Sequence, residues 1–295
     1  MPKWKIACIV LNYKDSKTTE EYVRFAKNLA FYDYIIVVDN CSPDDSYERL
    51  LKIQGENVIV CKTSKNGGYG AGNNYGIKLA KKLGCSVAFV SNPDVAYTRE
   101  CVQHMIDFLK QNDDYAAIAP VQYNGYSKKR RDDTAWALPT YTSYVIGSLY
   151  ILRHFLSTPR YVLSHNQQVD CVTGAFLAVK IDEFLEAGAY DEKIFLYCEE
   201  STLGYRLKQK GYKTYLLVDE KYDHYESTSI KKSVPNIVNR IQMIYKSRLI
   251  YLQDYLKVNK LQMVLAKACF SISIFEERLK VPVRLLIKNK KMKEA

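Results

Sequence analysis

Asp39, Asp94, Glu199, Glu200 and His224 are the side chains of this sequence best suited to chemistry on a phosphate-bearing substrate. Asp39 closes the apolar run Ile35-Ile36-Val37-Val38, and Asp94 follows Asn92-Pro93 after the run Val87-Ala88-Phe89-Val90. A carboxylate at a strand end can accept hydrogen bonds from a nucleotide's ribose or base. It can also hold Mg²⁺, which needs only one or two protein carboxylates when phosphates supply the other oxygens. The bland alternatives are a helix cap for Asp39 and a simple turn for Asn92-Pro93-Asp94. Glu199 and Glu200 precede a helical stretch, either as first-turn acids that suit the helix dipole or as a general base for an attacking hydroxyl. His224 sits in the polar segment Tyr222-Asp223-His224-Tyr225, as a metal ligand, a phosphate contact or a structural hydrogen-bonding group.

The stretch from Lys65 to Gly76, Lys-Asn-Gly-Gly-Tyr-Gly-Ala-Gly-Asn-Asn-Tyr-Gly, lies between an expected strand and an expected helix. Its glycines permit sharp turns and close approach of backbone to a ligand, and Asn66, Asn73 and Asn74 add amide groups suited to turns. It is not the loop of a P-loop nucleotidase, because no G-x-x-x-x-G-K-[ST] is present. No G-x-G-x-x-G follows the first strand, which argues against an NAD or FAD enzyme.

These residues need a scaffold, and the hydrophobic pattern supplies one. Strands are expected at Ile6 to Leu11, Ile35 to Val38, Val58 to Val60, Val87 to Val90, Ala116 to Pro120 and Tyr215 to Val218, and strand character from Val169 to Val179 is broken at Gly174. Helices are expected at Thr18 to Ala30, ending near Leu51, at Ala71 to Leu83, at 101 to 110, from Ile181, and through Lys210 with Gly211 as its stop. This alternation predicts an α/β domain with a mostly parallel sheet. In such sheets ligands bind beyond the carboxyl ends of the strands. Asn12, Asp39 with Asn40, and Asn92 with Asp94 all fall at such ends, which favours a small-molecule site. Lys128 to Arg131 reads as a charged surface turn, and the aromatic-rich segment from Trp136 to Val162 as a substrate-side excursion or lid.

The formal net charge of +11 in 295 residues fits an anionic membrane surface or an anionic substrate. A nucleic-acid partner is not expected: it calls for basic residues alternating with stacking aromatics, whereas the clear basic cluster is Arg284, Lys288, Lys290, Lys291 and Lys293 near the end. The eight cysteines are scattered without a C-x-x-C, so neither a zinc cluster nor a disulfide framework is expected, and the chain opens without a secretory signal. After Pro235 the pattern becomes helical. Ile237, Ile241, Ile244, Tyr245, Leu249 and Leu252 form one stripe; Leu261, Val264, Leu265, Ala268, Ile272, Phe275 and Leu279 form a second. The second helix either packs on the preceding domain or lies on a membrane surface.

The ordered set Val10-Leu11-Asn12-Tyr13, Val37-Val38-Asp39-Asn40 with Ser42, Asn66-Gly67-Gly68-Tyr69-Gly70 with Asn73-Asn74, Asn92-Pro93-Asp94, Gly174-Ala175-Phe176, Tyr197-Cys198-Glu199-Glu200, and His224 with Ser227 resembles a known family. It is similar to the inverting nucleotide-sugar glycosyltransferases of the GT-A class called family 2, and within them to bacterial rhamnosyl- and galactofuranosyl-type transferases. The resemblance implies a GT-A, Rossmann-like α/β fold over residues 1–230, with a nucleotide-sugar half (about 1–120), an acceptor half (121–230), and a helical extension with a basic tail over 231–295. It implies that Asp39 recognises the nucleotide, that Asp94 is the metal-binding position beside His224, and that Asn66 and Gly67 line the donor site with Asn12 and Asn92 at neighbouring strand ends. Gly174 and Ala175 would lie near donor sugar and acceptor, and Glu200 would be the base, with Glu199 as its alternate because a Glu-Glu pair stands where Glu-Asp is usual. Thr202 also replaces a common second acid. The implied cofactor is Mg²⁺ or Mn²⁺. The implied donor is dTDP-rhamnose or a UDP-sugar, and the acceptor a cell-surface or polyprenyl-linked glycan at the cytoplasmic face of the cell membrane. A homo-oligomer is left open, and a noncatalytic GT-A-like scaffold is the rival reading.

Overall fold

Short branched apolar runs bury both faces of one central sheet, as parallel strands do. The computed structural model describes residues 4–225 and 236–293, with side chains as far as Leu279. In chain order the first elements are β1 (Ile6–Asn12), α1 (Ser16–Asn28), β2 (Tyr34–Asp39), α2 (Ser46–Leu51), β3 (Val58–Lys62), α3 (Tyr69–Lys82) and β4 (Val87–Ser91). Then come β5 (Val95–Ala96), α4 (Arg99–Gln111), β6 (Tyr115–Asn124), β7 (Ala135–Trp136), α5 (Tyr141–Val145) and α6 (Arg153–Leu156). The remainder is β8 (Gln167–Val169), β9 (Cys171–Val172), β10 (Phe176–Lys180), α7 (Ile181–Glu186), α8 (Glu199–Gln209), β11 (Lys213–His224), α9 (Ile237–Asp254) and α10 (Lys260–Lys293).

The main sheet runs β3-β2-β1-β4-β10-β6-β11-β5, with β8 also on β11; β7 and β9 form a separate ribbon. β3, β2, β1 and β4 are parallel, β10 is antiparallel to both β4 and β6, and β6 is parallel to β11. The carboxyl ends of β1, β2, β4, β6 and β11 therefore share one edge with the start of β10. Side chains alternate between the two faces. Cys8, Val10, Ile35 and Val37 pack under α1 and α4 with Tyr22, Val102 and Met105. Ala7, Ile9, Ile36 and Val38 pack under α3, α7 and α8 with Ile77, Phe184 and Leu203.

The break expected at Gly174 is present: β9 pairs with β7, and β10 resumes in the main sheet. The strand expected to stop at Val218 instead continues to His224. Leu217 pairs with Pro120 and Lys221 with Val121, so residues 218–220 bulge and the strand then resumes. A bulge absorbs extra residues without ending a strand, and it brings His224 into the sheet, not into a polar segment beyond it.

The chain divides into two compact units, Met1–Leu138 with Arg160–Ile230, and Pro139–Pro159 with Lys231–Ala295. Most of the segment read as an excursion or lid thus belongs to the helical unit. There Tyr251 donates to the Pro139 carbonyl at 3.2 Å, Tyr141 to that of Gln262 at 2.8 Å, and Arg248 to that of Tyr144 at 3.1 Å. Val145, Tyr245, Leu252, Ala266 and Phe270 form its core. The Pro139 and Tyr144 carbonyls and the Val145 side chain are thus built into this unit, while Ile151 and Phe155 of the same segment stay exposed.

Candidate active site

In-register pairing of β1 and β2 sets Asn12 opposite Asp39 at the carboxyl edge. Both are buried. Asp39 Oδ2 accepts from Asn12 Nδ2 at 2.8 Å and Oδ1 from the Ser42 backbone N–H at 2.8 Å. Asn12 Oδ1 in turn accepts from Thr19 Oγ1 at 3.0 Å. The carboxylate is therefore held in one orientation before any ligand arrives. The next residue, Asn40, donates to Asn66 Oδ1 and to the Gly68 carbonyl, each at 3.0 Å, and Asn66 Oδ1 also accepts from the Gly68 N–H at 3.1 Å.

The glycines after Asn66 have a different use from the one expected. Gly68 has φ +91, and a Cβ there would lie 2.0 Å from the Phe195 carbonyl oxygen. The adjacent Tyr69 N–H donates to that same oxygen at 3.0 Å. A Cβ on Gly72 would strike Leu11 at 2.3 Å, and one on Gly76 would strike Ile9 at 2.5 Å. The close approach is made by the protein's own chain: α3 sits tight on β1, and its first turn sits on the segment before α8. Asn74 reinforces the junction, donating to the Tyr190 carbonyl at 3.0 Å and accepting from the Tyr190 N–H at 3.1 Å. Gly67, whose Cβ would meet only Ala71, is half-buried beside this junction.

Pairing of β4 with β10 brings Asn92 to Gly174-Ala175, the Asn92 N–H donating to the Ala175 carbonyl at 2.8 Å. Pairing of β5 with β11 sets Val95 opposite His224, and thereby brings Asp94 to the histidine. His224 Nε2 lies 3.3 Å from Asp94 Oδ1, with side-chain exposures of 14% and 8%. Behind the imidazole, Gln122 Nε2 lies 2.9 Å from His224 Nδ1, and an amide N–H there donates to the ring nitrogen. In that tautomer Nε2 carries the proton and donates to Asp94. Tyr222 donates to Gln122 Oε1 at 3.1 Å and its hydroxyl lies 2.8 Å from Thr173 Oγ1. A chain of hydrogen bonds thus joins Asp94 to the residue before Gly174.

A divalent cation at this end of the sheet would have Asp94 and His224 as its candidate ligands. Among the described residues no group of three or more His, Cys, Asp or Glu could hold a metal. Two ligands suffice where substrate phosphates complete the shell. Asp94 would offer an oxygen, and His224 Nε2 would serve as a ligand with its proton on Nδ1 and the Gln122 amide oxygen turned to the ring.

The two glutamates are separated by environment. Tyr197 and Cys198, both left-handed at φ 69 and 71, lead directly into α8. Consecutive non-glycine residues in that region store strain of the kind that collects at functional sites. Glu199 then turns inward, 3% exposed, with Oε1 lacking a hydrogen-bond partner. Burial, with the neighbouring Glu200 charge, pushes its carboxyl well above the ordinary value. Glu200 is half-buried, and its Oε1 accepts from the Gly174 N–H at 3.2 Å. Burial raises its pKa, partly offset by that backbone hydrogen bond. Tyr69 closes the corner, donating to the Gly174 carbonyl at 2.7 Å. A Cβ at Gly174 would sit 2.9 Å from Glu200 Oε1, so the glycine gives the carboxylate its place.

The site therefore gathers Asn92, Asp94, Gly174, Ala175 and His224 through strand pairing and Glu200 through the Gly174 N–H, with Asn12, Asp39 and Asn66 on the same edge of the sheet. Sequence reading did not single out Gln122, Thr173 or Tyr222, and gave Tyr69 no role of its own. Gln122 and Thr173 carry no local signal, since their partners lie 102 and 49 residues away. Ser227 lies outside the described residues. The turn read as a charged surface feature has Lys128 paired to Asp223 at 2.7 Å and Arg131 to Asp133 at 2.9 Å.

A family model described as Glycosyl transferase family 2 matches residues 7–185. Rhamnosyltransferase WbbL of Escherichia coli (strain K12) is 20% identical over 196 residues, 61% of this chain and 74% of that protein. Mannosyltransferase PcManGT from Pyrobaculum calidifontis, solved with GDP-Man and Mn²⁺, aligns with a TM-score of 0.59 at 11% identity, over 99% of this chain and 81% of that one. GalNAc-T7, solved with UDP, GalNAc and Mn²⁺, aligns at 0.58 and 13% identity over 95% of this chain and 57% of that one. S. aureus TarS 1-349 aligns at 0.55 and 14% identity, over 92% and 81%. At these identities the solved structures establish the fold, an α/β GT-A-like sheet flanked by helices with helices at the C-terminal end.

Proposed function

The chain belongs to glycosyl transferase family 2, and from that premise we propose that it transfers a sugar, with inversion, from a nucleotide-sugar to a hydroxyl of a glycan. The observation that carries this reading is the meeting, at one end of the sheet, of a fixed strand-end carboxylate (Asp39), an Asp94–His224 pair and a carboxylate, Glu200, held beside Gly174. Asp39 would accept hydrogen bonds from the nucleoside. Asp94 and His224 would hold Mg²⁺ or Mn²⁺ against the donor diphosphate, with Asn12, Asn66, Gly67 and Asn92 around the donor. A bound cation supplies charge stabilisation for the departing diphosphate. Gly174 and Ala175 would border the sugar.

Glu200 is the proposed base. In a single displacement its carboxylate takes the acceptor hydroxyl's proton as that oxygen attacks the anomeric carbon and the nucleoside diphosphate leaves from the opposite face. A raised pKa suits a carboxylate asked to accept a proton near neutrality. Glu199, turned inward, would tune its neighbour and not meet the acceptor. The partial likeness to WbbL supports dTDP-rhamnose as first donor to try, ahead of UDP-sugars. The proposed acceptor is a polyprenyl-linked or other cell-surface glycan, met at the inner face of the cell membrane.

A thermal-shift panel of dTDP-rhamnose, UDP-galactofuranose, UDP-glucose and GDP-mannose, each with and without Mn²⁺, tests the donor half. One nucleotide-sugar should raise Tm in a metal-dependent way. No shift with any of them would remove the reading, while a shift without transfer or hydrolysis would favour a noncatalytic binding protein.

A further inference from the structure

The helix α10 carries two apolar faces, and among the described residues only one is covered. Ala266, Phe270, Ser273 and Glu277 are buried against the helical unit, Phe270 stacked on Tyr245 at 4.3 Å and the Ser273 hydroxyl 2.6 Å from that of Tyr245. On the opposite side Leu261, Val264, Leu265, Ile272, Phe275 and Leu279 are 50–69% exposed. With ~3.6 residues per turn these side chains and Ala268 fall in one narrow stripe. A contiguous exposed apolar stripe is uncommon on a protein that meets only water.

What covers the stripe can be read from its margins. Lys260, Lys267 and Arg278 fall together along one flank of it, seven and eleven residues apart in helical phase. The acidic residue on the other flank, Glu276, is turned aside to accept from the Tyr150 N–H at 3.1 Å. The sequence of the helix beyond Leu279 continues with Arg284, Lys288, Lys290, Lys291 and Lys293. No helix among the described residues is long and apolar enough to cross a membrane. An apolar stripe edged by cations on a helix that does not span is the form that lies in a lipid interface, apolar side among the acyl chains and cations at the headgroups. A second copy packed antiparallel on the stripe would instead bring two basic margins together.

We propose that the Leu261–Leu279 face of α10 docks on an anionic lipid surface. This deepens the reading of a membrane-borne acceptor, but the surface exists whatever sugar the protein transfers. The test is flotation of the full chain with phosphatidylcholine vesicles and with phosphatidylcholine–phosphatidylglycerol vesicles, beside its mass in solution by light scattering. The expected result is binding to the anionic vesicles that weakens with salt and is absent without phosphatidylglycerol. The double substitution Ile272→Asp with Phe275→Asp, on exposed positions, should weaken binding about tenfold or more. Lys267→Glu with Arg278→Glu should weaken it as well. Unchanged binding in the Asp variant would overturn the proposal in favour of the basic tail alone. No vesicle binding, with a dimer that the Asp variant dissociates, would overturn it in favour of self-association. Nucleotide-sugar binding without vesicles, by thermal shift, is read on the same samples, so that loss of lipid binding and failure of the transfer reading are separate results.

Discussion

At the scale of single residues, the neighbouring glutamates divide by environment. Glu200→Gln keeps size and the Gly174 contact while removing the proton acceptor. Donor-induced thermal shift should stay within about twofold in apparent affinity while transfer falls by about 10²–10⁴-fold. Retained transfer would take the base role from Glu200. Because burial holds that carboxyl above the ordinary glutamate value, the acid limb of the rate profile should lie above pH ~4.3. Glu199 makes a different prediction. A carboxyl whose folded pKa is raised adds stability below its unfolded value, near 4.5, and that stability is lost as pH rises through the folded pKa. Glu199→Gln, which cannot ionise, should therefore gain Tm relative to wild type as pH rises over that window. Parallel Tm curves from acid to neutral pH would contradict this.

At the scale of elements, the glycine-rich turn and the end of β11 decide whether the site exists. Gly68→Ala adds a methyl group against the Phe195 carbonyl in a backbone region that only glycine occupies easily. It should cost about 1–3 kcal/mol or more, read as a lower denaturant midpoint, whereas Gly84→Ala, with open space around it but a φ of +78, should suffer strain alone. An equal loss at both positions would deny the close packing at Phe195. From β6, Gln122 reaches the His224 ring on β11, Nε2 to Nδ1 at 2.9 Å. Gln122→Leu should weaken Mn²⁺ affinity about 10–100-fold, as loss of an outer-shell partner does, measured by metal titration in the presence of a nucleoside diphosphate. An unchanged affinity would leave His224 without a metal role.

At the scale of the whole molecule, many of the tyrosines serve as core residues with polar tips. Tyr22 and Tyr32 each hydrogen-bond the hydroxyl of Tyr97 at 2.7 Å, and Tyr22 reaches the Cys8 sulfur at 3.2 Å, all buried beneath the sheet. By composition alone, 25 tyrosines suit a wet groove as well as a core. The answer needed the partners, because a buried hydroxyl is tolerated only where another group satisfies it.

The α/β alternation, the strands ending in Asn12, Asp39 and Asn92, and the break at Gly174 were legible in the sequence, because apolar period and punctuation are local properties of a chain. So was the stripe on α10, though not whether protein covers it. Tertiary structure alone decided the rest. That the glycines of 68 to 76 meet Phe195, Leu11 and Ile9 depends on elements far apart in sequence. That His224 faces Asp94 depends on a bulge at 218–220 and on pairing across 130 residues. That Glu199 is buried and Glu200 meets Gly174 depends on the left-handed turn at Tyr197-Cys198. Local pattern determines which segments fold as strands and helices; only long-range pairing determines which polar side chains end up within hydrogen-bonding distance.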